Sequence, residues 1–595
     1  MILSGLLACR STGQKNEMKS NLDWAKGAVW YQIFPERFCN GSAADDPVVA
    51  EVPETDNPHW RISPWTSDWY RMQPWEKEQK KPFYDGSVVF ARRYGGDLIG
   101  VMEKLDYLSE LGIDAIYFNP VFEAASLHKY DGSTFHHIDD NFGPDPVADK
   151  KKLTSACETE APATWVWTKA DSLFLQLIRE AHSRGIKIVI DGVFNHTGRE
   201  FFAFADILKH GRKSKYADWY EIERWDDPAT PQNEFSYKGW WGVKSLPEFA
   251  EDENGLVAGP RNYVFAATKR WLDPNGDGDP SDGIDGWRLD VAGDVAPPFW
   301  RDWYTLVKSI NPGAITVAEI WNDASGWIKD KRMDDTMNYL FAYAVTDFFI
   351  DRRTAISGSE FVRKLEKIIS LYGEKRALIL WNLIDSHDTD RLASMIINPD
   401  RDYDRNNGLR DNPNYDVRKP NNIERKIQKQ VAAFQMMFIG APVVYYGDEA
   451  GMWGADDPDD RKPMLWPEMK YDVEKSHPIP GKFRPADKNV FDRDLFAFYK
   501  KMIAIHRNNP ALKKGDLAFL SELTQPDLIA FSRYADSQQA IVLFNRSDAE
   551  VSVKIAKDRL QSSRYLNLMD EKRIDAENGI TIKIPARWFV MLGTL

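Results

Sequence analysis

Several stretches of this chain end in side chains able to move protons or hold charge. In "DGWRLDVA" (285–292), Arg288 and Asp290 lie two residues apart. On a strand they share one face, with Trp287, Leu289 and Val291 on the other. A guanidinium beside a carboxylate is either a structural ion pair or a way to hold that carboxylate ionised for chemistry. "IKIVIDGVFNH" ends in Asp191, Asn195 and His196, "AITVAEIW" carries Glu319, and "IDSHDTDR" carries His387 and Asp388. Paired carboxylates are what glycosidic bond cleavage needs. One attacks the anomeric carbon or stabilises its positive charge, and the other protonates the leaving oxygen. A like charge nearby keeps the acid protonated, and an arginine keeps the nucleophile ionised.

These residues need a scaffold that gathers strand ends. The pattern predicts strands over 28–38, 113–122, 186–194, 284–292, 314–321, 376–386 and 441–447. Between them, apolar residues recur at helical spacing over 95–112, 171–184, 262–272, 298–310 and 424–438, with a further helix over 494–507. "IKIVIDGVF" (186–194) is nearly all apolar, as a parallel strand covered on both faces should be. Repeated strand–helix units of this number fit an eight-fold α/β barrel, a TIM barrel, whose chemistry sits at the C-terminal ends of the strands. From about residue 509 the pattern changes to short strands and turns, predicting a C-terminal antiparallel β-sandwich domain. The expected organisation is a leader over 1–24, a catalytic barrel over 25–508 with an inserted domain B at about 197–260, and the β domain over 509–595.

A chain of 595 residues with net charge −13 is not built to grip nucleic acid, which needs a basic face. Its 22 Trp and 23 Tyr suit a sugar-binding cleft lined with flat rings. Three cysteines, Cys9, Cys39 and Cys157, form neither a disulfide framework nor a metal cluster. The start, "MILSGLLACRSTGQ", resembles the end of a bacterial lipoprotein signal, although its basic segment is missing. That makes Cys9 the expected lipid anchor and the periplasm or cell envelope the expected location, with the cytoplasm as the alternative.

The motifs also resemble the α-amylase family of glycoside hydrolases, family 13. "DGVFNH" (191–196), "GWRLDVA" (286–292), "AEIW" (318–321) and "DSHDTDR" (385–391) match its four principal motifs in order, and "GAPVVYYGDEAGM" (440–452) matches a further one. The resemblance implies Asp290 as nucleophile, Glu319 as general acid/base and Asp388 as the third carboxylate, gripping sugar hydroxyls. It implies substrate contacts from Arg288, His196 and His387, and from Tyr130 with Asp131 in "HKYDGSTF". The reaction would retain configuration, with Asp290 and Glu319 roughly 5 Å apart.

"AEIWNDA" (318–324) and "DTMNYLFAYAVTDFF" (335–349) look most like neopullulanases and cyclomaltodextrinases, with Trp321 stacking on a leaving-side sugar. Those enzymes dimerise through an extra N-terminal β domain. Only some 25 residues precede the first strand here, so a monomer is expected. "FCNGSAADDP" and "RYGGD" resemble a calcium loop of family relatives, placing Asn40, Ser42, Asp45, Asp46, Gly95 and Asp97 on ligand positions, Ser42 in place of an amide. "DPNGDGDPSDG" (273–283) mimics the first half of an EF-hand loop, but Ile284 stands where the closing Glu belongs. Expected activity is hydrolysis of α-1,4 bonds, and also α-1,6 bonds, in starch, maltooligosaccharides, pullulan or cyclodextrins. The alternatives are a 4-α-glucanotransferase using the same residues and a catalytically inactive glycan-binding subunit. Loss of Asp290, Glu319 or Asp388 would mark the last, and all three are present.

Overall fold

A computed structural model describes residues 21–595; the proposed leader and Cys9 lie outside the described residues. Eight short parallel strands form the central sheet. They are β1 (Trp30–Ile33), β2 (Ala115–Phe118), β3 (Lys187–Gly192), β4 (Gly286–Leu289), β5 (Ile315–Ala318), β6 (Asp335–Thr336), β7 (Trp381–Asn382) and β8 (Ala441–Tyr445). Their order is β6-β5-β4-β3-β2-β1-β8-β7, and a parallel bridge from Met337 to Trp381 closes the ring.

Alternation along the strands sorts the core into two layers. Tyr31, Ile33, Ile116, Phe118, Ile188, Ile190, Trp287 and Leu289 face outward into the layer beneath the helices. Trp30, Tyr117, Val189, Ile315, Val317 and Trp381 fill the barrel. Trp381 plugs it, with ring centroids 4.3 Å from Trp30 and 5.4 Å from Tyr117. Arg288 belongs to the inward set, so the parity read from the sequence puts its charge inside the barrel mouth.

Helices Lys169–Ser183 and Asn422–Met437 start in capping boxes, Thr168 with Asp171 and Asn421 with Glu424. Three expected elements are shorter or split. Chain 28–38 is a strand only to Ile33, because Pro35 opens a helical turn, Pro35–Phe38. Chain 95–112 forms two helices, Leu98–Glu103 and Leu105–Leu111, the second ended by Gly112 at φ 98°. Chain 376–386 starts as a helical turn, Glu374–Ala377, and pairs only at Trp381–Asn382.

The chain between β3 and β4 carries helix Phe202–His210, two small hairpins and helix Ala258–Leu272. The chain between β2 and β3 carries helix Pro146–Ala156 ahead of Lys169–Ser183. At the C-terminus a six-stranded antiparallel sheet packs with the pair Val551–Ile555 and Ile580–Ile584 around a shared apolar core. It docks on the barrel through Phe531 and Phe544 against Phe434, and Gln430 donates to the Asn545 and Trp588 carbonyls.

Candidate active site

Strand register builds the centre of the site. Asp191 on β3 pairs with Arg288 on β4. Just past the strand ends, the Asp290 amide donates to the Gly192 carbonyl (3.1 Å) and the Glu319 amide to the Leu289 carbonyl (3.0 Å). Three carboxylates from adjacent strands therefore meet one fully buried guanidinium. Arg288 Nη1 lies 2.9 Å from Asp191 and 2.9 Å from Asp290 Oδ1, and Nη2 lies 2.9 Å from Glu319 Oε2. Glu319 is fixed further, since Oε2 accepts from the Val291 amide (2.9 Å) and Oε1 from Trp321 Nε1 (3.1 Å). Val291 adopts φ 36°, ψ 46°, a left-handed conformation that a β-branched residue resists. This strained turn directly after Asp290 is what aims the Val291 amide at Glu319.

A second layer joins three more strand ends. Tyr130 Oη donates to Asp191 Oδ2 (3.0 Å) and accepts from Asn119 Nδ2 (3.1 Å). Gln32 Nε2 donates to His387 Nδ1 (2.8 Å), which leaves the ring proton on Nε2 facing Tyr130 Oη (2.6 Å) and Asp388 Oδ1 (3.1 Å). Asp388 Oδ2 has no hydrogen-bond partner. Arg461 holds the loop, donating from Nε (2.8 Å) and Nη2 (2.6 Å) to the His387 carbonyl. The Asp131 carboxylate accepts from the Ser126 amide and hydroxyl, bracing the loop that delivers Tyr130, and its charge acts on His196.

Aromatic surfaces extend the site in two directions. His196, its Nε2 unpartnered, stacks on Trp240 (centroids 5.3 Å), which stacks on Trp241 (5.2 Å), a residue 82% exposed. Trp321 stacks on Tyr339 at 4.0 Å and 11°, and its carbonyl accepts from Tyr343 Oη. Trp240, Trp241, Tyr339 and Arg461 were not read as site residues. Only the unusual Trp-Trp pair gave a signal.

One cation among three buried carboxylates is too little to keep all of them charged. Burial pushes Asp290 well above the ordinary carboxylate range, the Glu319 charge adds to this, and Arg288 opposes it. Arg288 thus does not simply hold Asp290 ionised, as its neighbourhood in sequence suggested, because its charge is shared with Asp191 and Glu319. Asp388 is pushed up to about 7 by burial and then by Glu319. Burial holds His196 down at about 4, and burial with Arg461 and Arg288 holds His387 far below its ordinary value, so both rings are neutral.

The loops read as calcium-binding also come together. Gly95, at φ 73°, packs so closely that a Cβ there would lie 1.8 Å from Asp46 Oδ1, and Asn40 Nδ2 donates to that oxygen (2.7 Å). Both oxygens of buried Asp45 lack partners. Burial and the Asp97 charge push Asp45 up to about 7, and burial pushes Asp97 up to about 6. Asp97 accepts from the amides of Gly41, Ser42 and Gly100, fixing the loop on helix Leu98–Glu103. Orphaned, crowded carboxylates of this kind fit a hard cation. In the 273–283 loop, Asp273 accepts from the Gly276 and Gly278 amides and Asp277 from Asp279, which explains those residues as turn formers.

The sequence matches the family described as "Alpha amylase, catalytic domain" over residues 32–161 and 168–515. The chain belongs to the α-amylase family of glycoside hydrolases. It is 34% identical to neopullulanase 2 of Thermoactinomyces vulgaris over 95% of this chain and 77% of that protein. It is 32% identical to a cyclomaltodextrinase of Thermoanaerobacter pseudethanolicus over 89% and 71%. Among solved structures, the cyclic α-maltosyl-(1→6)-maltose hydrolase of Arthrobacter globiformis superposes with a TM-score of 0.68 at 25% identity, covering 96% of this chain and 99% of that one.

The Asp388 carboxylate yields a stability test. Folded, it keeps its proton up to about pH 7, whereas an unfolded aspartate loses it near pH 4. The folded chain binds the extra proton in that window, so Asp388 subtracts stability increasingly as pH rises from about 4 to 7. Asp388→Asn should unfold at the wild-type temperature near pH 4 and at a higher one above pH 7, with activity down at least ~100-fold. Equal unfolding temperatures at pH 8 contradict this.

Proposed function

We propose that this chain is a retaining, endo-acting hydrolase of α-1,4-glucans, neopullulanase-like, that also opens α-1,6 links. The observation that carries the reading is the buried guanidinium bridging Asp290 and Glu319, two carboxylates beside an aromatic-lined mouth. Glu319, held at both oxygens by the Val291 amide and Trp321 Nε1, takes the role of general acid. Asp290 then attacks the anomeric carbon while Glu319 protonates the leaving oxygen. Glu319 next takes a proton from the incoming water, which frees the sugar with its original configuration. Asp388, with its unpartnered Oδ2, and neutral His196 and His387 bind sugar hydroxyls at the cleavage point. Trp321, stacked on Tyr339, carries the leaving-side sugar, and the His196–Trp240–Trp241 stack extends the other direction.

Calcium is part of the proposal. Asp45, Asp46, Asn40 and the Gly95 backbone would hold it, with Asp97 organising the loop and Ser42 beside it. Its role would be to neutralise Asp45 and brace the chain leaving β1. Lipid attachment at Cys9 and an envelope location belong to the same reading and rest on the sequence alone.

Product analysis tests the function. Wild type should release panose from pullulan and short maltooligosaccharides from starch. Asp290→Asn should be at least ~1,000-fold slower on both. Fast cyclodextrin opening to maltose and glucose would mark a cyclomaltodextrinase, and elongation of maltotriose a transferase. No product from any α-glucan, or an active Asp290→Asn, overturns the mechanism. For the metal, millimolar calcium should raise the unfolding temperature of chelator-treated wild type by several degrees and leave Asp45→Asn unmoved. An equal response in both disproves the site.

A further inference from the structure

A second cluster of ligand-type side chains lies away from the catalytic centre. His136 Nε2 (3.2 Å) and His137 Nε2 (2.7 Å) converge on one oxygen, Glu158 Oε2. The opposite ring nitrogens are engaged elsewhere. His137 Nδ1 lies 2.8 Å from Asp171 Oδ2, and His136 Nδ1 lies 2.6 Å from Tyr263 Oη and 2.7 Å from Thr134 Oγ1. Both histidines are buried, while Glu158 is partly open to solvent. Trp165 covers the His136 ring at 4.1 Å.

A neutral imidazole has one N–H, yet His137 meets a carboxylate oxygen at each nitrogen. As a pure hydrogen-bond network this needs a buried imidazolium and two donors crowded on one oxygen. A metal ion resolves it differently. Each Nε2 and Glu158 Oε2 become ligands, while each Nδ1–H donates outward, His137 to Asp171 and His136 to Tyr263. That is the outer-shell arrangement that orients metal-binding histidines. Arg270, the cation facing the cluster, is itself neutralised by Asp171 at 3.1 Å.

We propose that His136, His137 and Glu158 form a binding site for a divalent transition-metal ion of the zinc class, with water completing the shell from the open side. Two imidazoles and one carboxylate select a borderline ion over calcium. Tetrahedral ligands at about 2.0–2.1 Å sit roughly 3.3 Å from one another. The His136 contact already has that length, and the His137 contact opens by about half an ångström. The ion ties three segments together: the 134–137 loop that follows Tyr130, the turn after helix Pro146–Ala156, where Cys157 at φ 49° delivers Glu158, and helix Lys169–Ser183 through Asp171. It therefore clamps the β2–β3 connection that carries Tyr130 to the catalytic centre.

The test is binding of ZnCl2 to chelator-stripped protein, with CoCl2 as a spectroscopic substitute. Wild type and Asp45→Asn should each retain one equivalent of zinc after gel filtration and show the visible bands of a tetrahedral cobalt centre. Glu158→Gln should bind zinc at least ~10-fold more weakly, and zinc should raise the unfolding temperature of wild type but not of this variant. If Glu158→Gln does not fold, His137→Gln takes its place. No stoichiometric zinc in wild type, no tetrahedral cobalt bands, or unchanged affinity in the variant overturns the proposal and leaves a proton-bridged histidine–carboxylate network.

Discussion

Everything at the centre of this enzyme depends on one buried cation among more anions than it can balance. Arg288 contacts Asp191, Asp290 and Glu319 with no exposure to water. Burying such a group is costly, and removing its partner from a buried pair typically costs ~3–5 kcal/mol. Burial and the neighbouring Glu319 charge push Asp290 well above the ordinary carboxylate range, and Arg288 opposes them. Arg288 sets geometry and charge together. It holds Asp290 and Glu319 side by side on one guanidinium.

The barrel makes that arrangement inexpensive to assemble. Because β3, β4 and β5 run parallel and in register, Asp191 falls beside Arg288 without any loop having to fold correctly first. Loops then add what strands cannot. The β2 loop supplies Tyr130, tied to His387 through a hydrogen bond that crosses 257 positions of sequence. Arg461, from a loop beyond β8, holds the His387 carbonyl and steadies Asp388 beside it. Each contact joins separate strand ends, so the rigidity of the mouth comes from the closed ring beneath it.

The sequence was most legible where apolar periodicity was long. β3 and β4 with their inward polar residues followed from alternation, while the roles expected of Asp290, Glu319 and Asp388 came from the motifs' resemblance to a family. β6 was missed because two residues, Asp335 and Thr336, carry no periodic signal. The apolar run 376–386 looked like a strand because burial demands apolar residues whatever the backbone does, and most of it is not paired. Sharing of Arg288 by three carboxylates was invisible, since Asp191 and Glu319 lie 97 and 31 positions away along the chain. The role of Asp131 in bracing its own loop, and the meeting of His136 and His137 with Glu158, likewise depend on how the β2–β3 connection folds.

The most direct test of the central claim is to trap the covalent intermediate. Incubating the enzyme with a slow-turnover fluorinated α-glucosyl fluoride and sequencing the labelled peptide by mass spectrometry reports which carboxylate attacked. The account requires one glycosyl unit per chain, attached to Asp290, and at least ~10-fold slower labelling when Arg288→Lys breaks the shared clamp. Labelling at another carboxylate, or substrate turnover with release of the β-anomer and no adduct, would contradict it.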